Sequence, residues 1–238
     1  MGYNKDDAFA FFIALESTLN HSLPNPSAMK KEMLNICNEG ASEHRIRENQ
    51  FLYHFVMPLI HKQMQTVPGI GPGEARHALL CEYHAKISDI SSGNAMRRAG
   101  SPFGKAIGRP VQQIMSDWTK DNRSFPLNQA YPDIAIRDPF PHRIVFDAKY
   151  FDSDSSAAAT KSLVEGIYEA GHYRGLPKVP ALSAEKPGWD YEFGCLLAYD
   201  ASDEGVLTAA WNTVTNKQAF WDGGNVFVMI VRGTRSPY

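Results

Sequence analysis

Residues 132–149 read Pro132-Asp133-Ile134-Ala135-Ile136-Arg137-Asp138-Pro139-Phe140-Pro141-His142-Arg143-Ile144-Val145-Phe146-Asp147-Ala148-Lys149. Two apolar runs, 133–136 and 143–149, flank Asp138-Pro139-Phe140-Pro141-His142, which carries a turn signal. The pattern predicts two antiparallel strands joined by that turn. Asp133 opens the first strand and Asp147 lies near the end of the second, so pairing sets the two carboxylates side by side. Lys149 follows Asp147 by two positions and, at the two-residue period of a strand, points to the same face.

Working toward the C-terminus, 157–173 reads as a helix and 191–199 as a strand in an apolar run typical of a buried one. The segment 203–220 reads as a further helix and 225–231 as a last buried strand. The order strand, strand, helix, strand, helix, strand predicts an α/β core, roughly 126–238. Toward the N-terminus the texture is helical. Phe9, Phe11, Phe12, Leu15 and Leu19 fall near helical spacing, and Leu23-Pro24-Asn25-Pro26 ends that segment. Further helices are predicted over 26–38, 42–65, 73–87 and 109–119, with Pro58 expected to kink or split the third. Residues 1–125 are therefore expected to form a helical elaboration packed on the core. The sequence carries no internal repeat and no low-complexity tract.

The 238 residues suit about one domain, and 43% apolar with 21% charged residues is near the globular average. That composition excludes a disordered chain, a collagen-like repeat and a coiled-coil rod. No apolar run approaches the roughly 18 residues of a membrane span. Residues 1–7 lack the basic and apolar regions of a secretory signal. Cys37, Cys81 and Cys195 are odd in number and far apart, and read as reduced thiols. A cytoplasmic location is expected. The net charge of −2 makes no global case for nucleic acid, so any DNA contact must rely on a local basic face.

Two carboxylates brought together are unfavourable unless a cation joins them. Oxygen ligands of this kind suit Mg²⁺, which keeps several waters and bridges to phosphate. Lys149 beside them can position a metal-bound water or help deprotonate it. Metal, water and ammonium next to a phosphodiester are the parts of metal-assisted hydrolysis.

Pro132-Asp133 followed by Asp147-Ala148-Lys149 resembles the motif of the PD-(D/E)XK nuclease superfamily, which includes many type II restriction endonucleases. The resemblance implies a restriction-endonuclease-like mixed central sheet flanked by helices. It implies that Asp133 and Asp147 bind Mg²⁺ together with the main-chain carbonyl of Ala148, with Mn²⁺ able to substitute, and that Lys149 assists the attacking water. Many members of the family carry a glutamate on the leading helix. Glu48 shares a helical face with Phe51, Leu52 and Phe55 and is the first choice; Glu43 is the second. The helix after the lysine sometimes carries Gln-x3-Tyr in this family. Glu169 and Tyr173 have that spacing, with Glu in place of Gln.

Two further stretches bear on DNA. Val67-Pro68-Gly69-Ile70-Gly71-Pro72-Gly73-Glu74-Ala75 resembles the turn of helix-hairpin-helix modules, in which Gly69 and Gly71 would let the backbone approach a phosphate. It also reads as an ordinary interhelical turn, rich in Gly and Pro for conformational reasons, and Glu74 would oppose a phosphate. Between Gly93 and Arg123 lie Arg97, Arg98, Lys105, Arg109, Lys120 and Arg123 against Asp117 and Asp121. This basic, glycine-spaced stretch suits phosphate contact. Poorer candidates are Cys81 with His84, which lack a zinc-type cysteine pair, His54 with His61, and His172. Asp152, Asp154 and Ser155 read as a loop and helix N-cap. Trp118, Trp189, Trp211 and Trp221 read as core residues.

The sequence thus leads to a Mg²⁺-dependent endonuclease acting on double-stranded DNA, most like a type II restriction endonuclease of a host-defence system and expected to be a homodimer. Two alternatives stay open: a repair or junction-resolving nuclease, and a non-catalytic DNA-binding protein of the same fold.

Overall fold

The computed structural model describes residues 4–37, 48, 51–81, 133–174 and 191–236. Helix α1 (Lys5–Ser22) is capped by the Asn4 side chain, which accepts from the Asp6 amide, and carries Asp6 and Asp7 in its first turn. Its apolar face, Ala8, Phe11, Phe12, Leu15 and Leu19, is buried. Leu23 turns to an extended conformation ahead of Pro24, and α2 (Pro26–Cys37) follows. A π-turn over Leu52–Val56 leads directly into α3 (Met57–Met64), and α4 (Pro72–Ala78) follows a short loop.

Five strands form one sheet in the order β1-β2-β3-β4-β5: β1 (Leu79–Cys81), β2 (Ile134–Ile136), β3 (Ile144–Phe151), β4 (Phe193–Asp200) and β5 (Val226–Val231). The pairs β1–β2 and β2–β3 are antiparallel, whereas β3–β4 and β4–β5 are parallel. Parallel neighbours need crossovers, supplied by α5 (Ser156–Arg174) and by α6 (Val206–Thr213) with α7 (Gln218–Gly224). Every residue of β4 is buried, as expected of a central parallel strand.

The sheet is covered on both faces. Ile144, Phe146, Ala148 and Tyr150 of β3 join Phe12, Phe51 and Ile60 in the larger core. Phe151 joins Leu196, Ala198, Ala159 and Leu163 under α5 on the other face. Aromatic contacts fix the first layer: Phe12 stacks on Phe227 at 4.9 Å, and Phe51 meets Tyr150 at 5.7 Å and Tyr199 at 5.4 Å.

Several expectations change. The helix expected over 73–87 ends at Ala78, where the chain extends into β1 and pairs with β2. The N-terminal part is therefore not wholly helical, because it contributes a strand to the sheet. The break expected at Pro58 falls just ahead of it, where a π-turn over Leu52–Val56 interrupts the α-helical pattern before α3. This turn, closed by Met57 N–H bonding to Leu52 O, absorbs the register change that proline imposes. The single helix expected over 203–220 is two, broken after Thr213 where Thr213-Val214-Thr215 sets three β-branched residues in a row. The helix expected over 109–119 lies outside the described residues.

Candidate active site

The site forms where β2 stops short. Its last pair with β3 is Ile134↔Phe146, with Asp133 N–H bonding to Phe146 O at 3.1 Å. Beyond that point the β2-facing amides of β3 are taken by carboxylates. Ala148 N–H donates to Asp133 Oδ2 at 2.6 Å, and Tyr150 N–H donates to Glu48. Glu48 reaches this edge because Phe51, one helical turn later on the same face, is packed against Tyr150 and Tyr199.

Asp147 and Lys149 project from the opposite face, toward α5. Asp147 is buried, 2% exposed, and Lys149 is 20% exposed. Lys149 Nζ lies 3.2 Å from Asp147 Oδ1 and 2.7 Å from Glu169 Oε2 on α5. Helix α5 comes this close because Gly166 has no side chain. A Cβ there would sit 3.1 Å from Asp147 Oδ2 and 2.5 Å from Leu196 Cδ1.

Three carboxylates, Asp147, Glu169 and Glu48, thus act on one ammonium, and Asp133 adds its charge to Asp147 and Glu48. Burial pushes the Asp147 carboxyl well above its usual range; Lys149 opposes the shift, and the charges of Glu169 and Asp133 add to it. Asp147 Oδ2 is buried without a hydrogen-bond donor. The nearby Glu169 carboxyl can bond to Asp147 only if one of the two carries a proton. Burial also raises Glu48, to about 7; Lys149 and the Tyr150 N–H oppose the shift, while Asp133 and Glu169 reinforce it. For Lys149, burial alone would lower the pKa, but Asp147, Glu169 and Glu48 together outweigh it and hold the ammonium above its ordinary value.

Among the described residues, no three His, Cys, Asp or Glu side chains stand as a ready-made metal-ligand cluster. Mg²⁺ does not need one, since it is held by one or two carboxylates with waters completing the shell. Asp147 Oδ2 offers lone pairs with no donor on them. In a strand the N–H and C=O of a residue face one edge, so the Ala148 carbonyl lies on the edge where Asp133 sits. The donor set fits a hard divalent cation.

The structure brings together Asp133, Asp147, Ala148, Lys149 and Glu48. It adds Glu169, whose Glu-for-Gln change is visible in the sequence without a contact to assign to it. Gly166 belongs to no motif; a glycine inside a helix facing an acidic strand position is the signal that could have found it. In the Pro68–Gly71 turn, Gly69 takes φ +83° and Ile70 is buried in the core. Glu74 Oε2 lies 2.8 Å from where a Gly71 Cβ would be, so an anion approaching this turn meets a carboxylate. Arg97, Arg98, Lys105 and Arg109 lie outside the described residues, as do Glu43, Pro132 and the His172 and Tyr173 side chains. Ser155 Oγ accepts from Ala158 N–H at the start of α5, the N-cap expected there. His61 Nε2 lies 3.3 Å from the Pro72 carbonyl oxygen. Trp221 is core, against Phe12 and Phe193. No helix among the described residues is long and apolar enough to cross a membrane.

Comparison with protein-family models, with curated proteins and with solved structures finds no match to this chain.

Proposed function

We propose that this chain is a Mg²⁺-dependent endonuclease hydrolysing DNA phosphodiester bonds, similar to the type II restriction endonucleases of host-defence systems. The observation that carries the proposal is the gathering of Glu48, Asp147 and Glu169 about Lys149, with Asp133 beside Asp147 and Glu48 and with an Asp147 oxygen buried and lacking a donor. A fold gains nothing from so many carboxylates around one ammonium, because burying like charges is costly. Metal-assisted hydrolysis needs that excess.

Asp147, Asp133 and the Ala148 carbonyl would hold the cation. Bound Mg²⁺ would polarise a phosphate oxygen and lower the pKa of a coordinated water. Lys149, kept charged by its acidic neighbours, offsets negative charge developing on the phosphate and orients the attacking water. It does so as a cation rather than as a base. Glu48, pushed up to about 7, can accept a proton near neutral pH. A two-fold dimer would present one such site to each DNA strand.

The test is incubation of the purified protein with long unmethylated double-stranded DNA, in Mg²⁺ or in EDTA, alongside Lys149→Ala. Discrete fragments that require Mg²⁺ are expected, with Lys149→Ala slower by roughly 10²–10³-fold. No cleavage of plain, branched or methylated DNA in Mg²⁺ or Mn²⁺ would sink the enzyme.

A further inference from the structure

We propose that Glu169 is the positioning residue for Lys149, holding its ammonium against α5 so that Asp147 is left to the cation. The inference rests on the nuclease reading of the same site. A lysine on a strand is a charge at the end of a four-carbon flexible stem, and the strand alone does not fix where Nζ stands. Two carboxylates touch it here, and the shorter contact is the one more distant in sequence: 2.7 Å to Glu169 Oε2 against 3.2 Å to Asp147 Oδ1, two residues away.

Glu169 is well placed to act as an anchor. Its neighbour Ala170 is fully buried and Leu163 nearly so, which sets the rotation of α5 about its axis. Gly166, one turn before Glu169, lets the helix approach Asp147. The anchor is thus tied to the packing of α5 on the sheet.

The division of labour follows from lone pairs. A cation on the free Asp147 Oδ2 draws charge from the carboxylate and so weakens the Lys149 contact at Oδ1. Glu169 makes its own contact with the ammonium and keeps a charge-assisted hydrogen bond to it whatever Asp147 holds. A glutamine there would offer an acceptor without the charge. The glutamate at this position therefore fixes the ammonium beside the reacting phosphate.

The experiment compares wild type, Glu169→Gln and Glu169→Ala, each also in a Lys149→Ala background. Single-turnover cleavage is measured in Mg²⁺, and DNA affinity in Ca²⁺. Glu169→Ala is expected to slow cleavage by about 100-fold, as a misplaced catalytic group does. Glu169→Gln keeps the acceptor and is expected to lose only about tenfold, since an uncharged partner makes a weaker bond. DNA affinity should be unchanged. In the Lys149→Ala background, Glu169→Ala should cost nothing further, because the two act as a unit. Wild-type rates in Glu169→Ala, or a loss that multiplies with that of Lys149→Ala, would overturn the proposal.

A second readout does not need cleavage. Lys149 should resist an amine-acylating reagent in wild type and become reactive in Glu169→Gln and Glu169→Ala, as read by peptide mass spectrometry. Equal reactivity in all three would overturn the clamp. If wild type cleaves no DNA, the nuclease reading fails by itself, and the acylation result still decides whether Glu169 holds Lys149.

Discussion

Asp147→Asn should stabilise the metal-free protein while abolishing the DNA cleavage proposed for it. The side chain is buried, so neither of its oxygens is well solvated. Its attraction to Lys149 at 3.2 Å is about 5 kcal/mol at an effective dielectric of 20. Glu169 contacts the same ammonium at 2.7 Å, so the two carboxylate oxygens lie within about 6 Å of each other. That proximity returns about 3 kcal/mol or more of repulsion at the same dielectric. Asp133 adds further repulsion. Attraction and repulsion nearly cancel, and the cost of burying the charge, several kcal/mol per ion, stands uncompensated. Asparagine keeps the shape and removes the charge. Lys149 keeps Glu169 as its partner, so no uncompensated charge is left, and the expected gain in EDTA at pH 8 is about 1–3 kcal/mol, the order seen when a buried ion pair gives way to neutral residues. For a chain of this size that is about 2–4 °C in Tm per kcal/mol. The gain should shrink as the pH falls, because Asp147, with its raised pKa, then becomes neutral in the wild type as well. Mg²⁺ at a hundred times Kd should raise wild type by about 2.7 kcal/mol and the variant far less, narrowing or reversing the order. Calorimetry in EDTA and in Mg²⁺, at pH 5 and pH 8, measures all of this. A lower Tm for Asp147→Asn in EDTA at pH 8 would refute the reasoning, since Asp147–Lys149 would then be a net stabilising ion pair of the fold.

Three other positions probe the same architecture. Glu48 is raised to about 7 in the folded protein, so between its ordinary carboxylate range and pH 7 the unfolded chain binds fewer protons than the folded one and stability falls as pH rises. In EDTA, wild type should lose roughly 2–3 kcal/mol relative to Glu48→Gln between pH 4.5 and pH 7, and parallel melting-temperature profiles for the two would disprove this. Gly166→Ala should destabilise and slow cleavage, since the clash with Leu196 and Asp147 costs about 1–3 kcal/mol and exceeds the helix-propensity gain of about 1 kcal/mol. Gly171→Ala, whose Cβ would meet only Val226 Cγ2 at 3.6 Å in the same helix, should instead stabilise by about 0.5–1 kcal/mol, and equal effects at the two positions would contradict the close approach at Gly166.

The C-terminal elements are legible in the sequence because each rests on a local signal. The apolar runs at 143–149, 191–199 and 225–231 match β3, β4 and β5 to within two residues at each end. Strand β1 escapes such a reading because Leu79-Leu80-Cys81 is short and follows a helical pattern without a break. It is a strand only because Ile134–Ile136 offers it a partner. The break after Thr213 is visible as β-branched residues, but their weight against helix is small and packing decides it. The π-turn ahead of Pro58 leaves no local trace beyond the proline.

For the site, the sequence alone determined that Asp147 and Lys149 share a face and that Asp133 is their neighbour. Both follow from strand period and hairpin pairing, which act between adjacent residues and adjacent strands. Only the tertiary structure decided that Glu48 and Glu169 both stand close to Lys149. Glu48 arrives with the packing of Phe51 on Tyr150 and Tyr199, and Glu169 with the approach of α5 that Gly166 permits. Their effect on Lys149 and Asp147 is electrostatic and depends on distance and burial, which chain spacing does not encode.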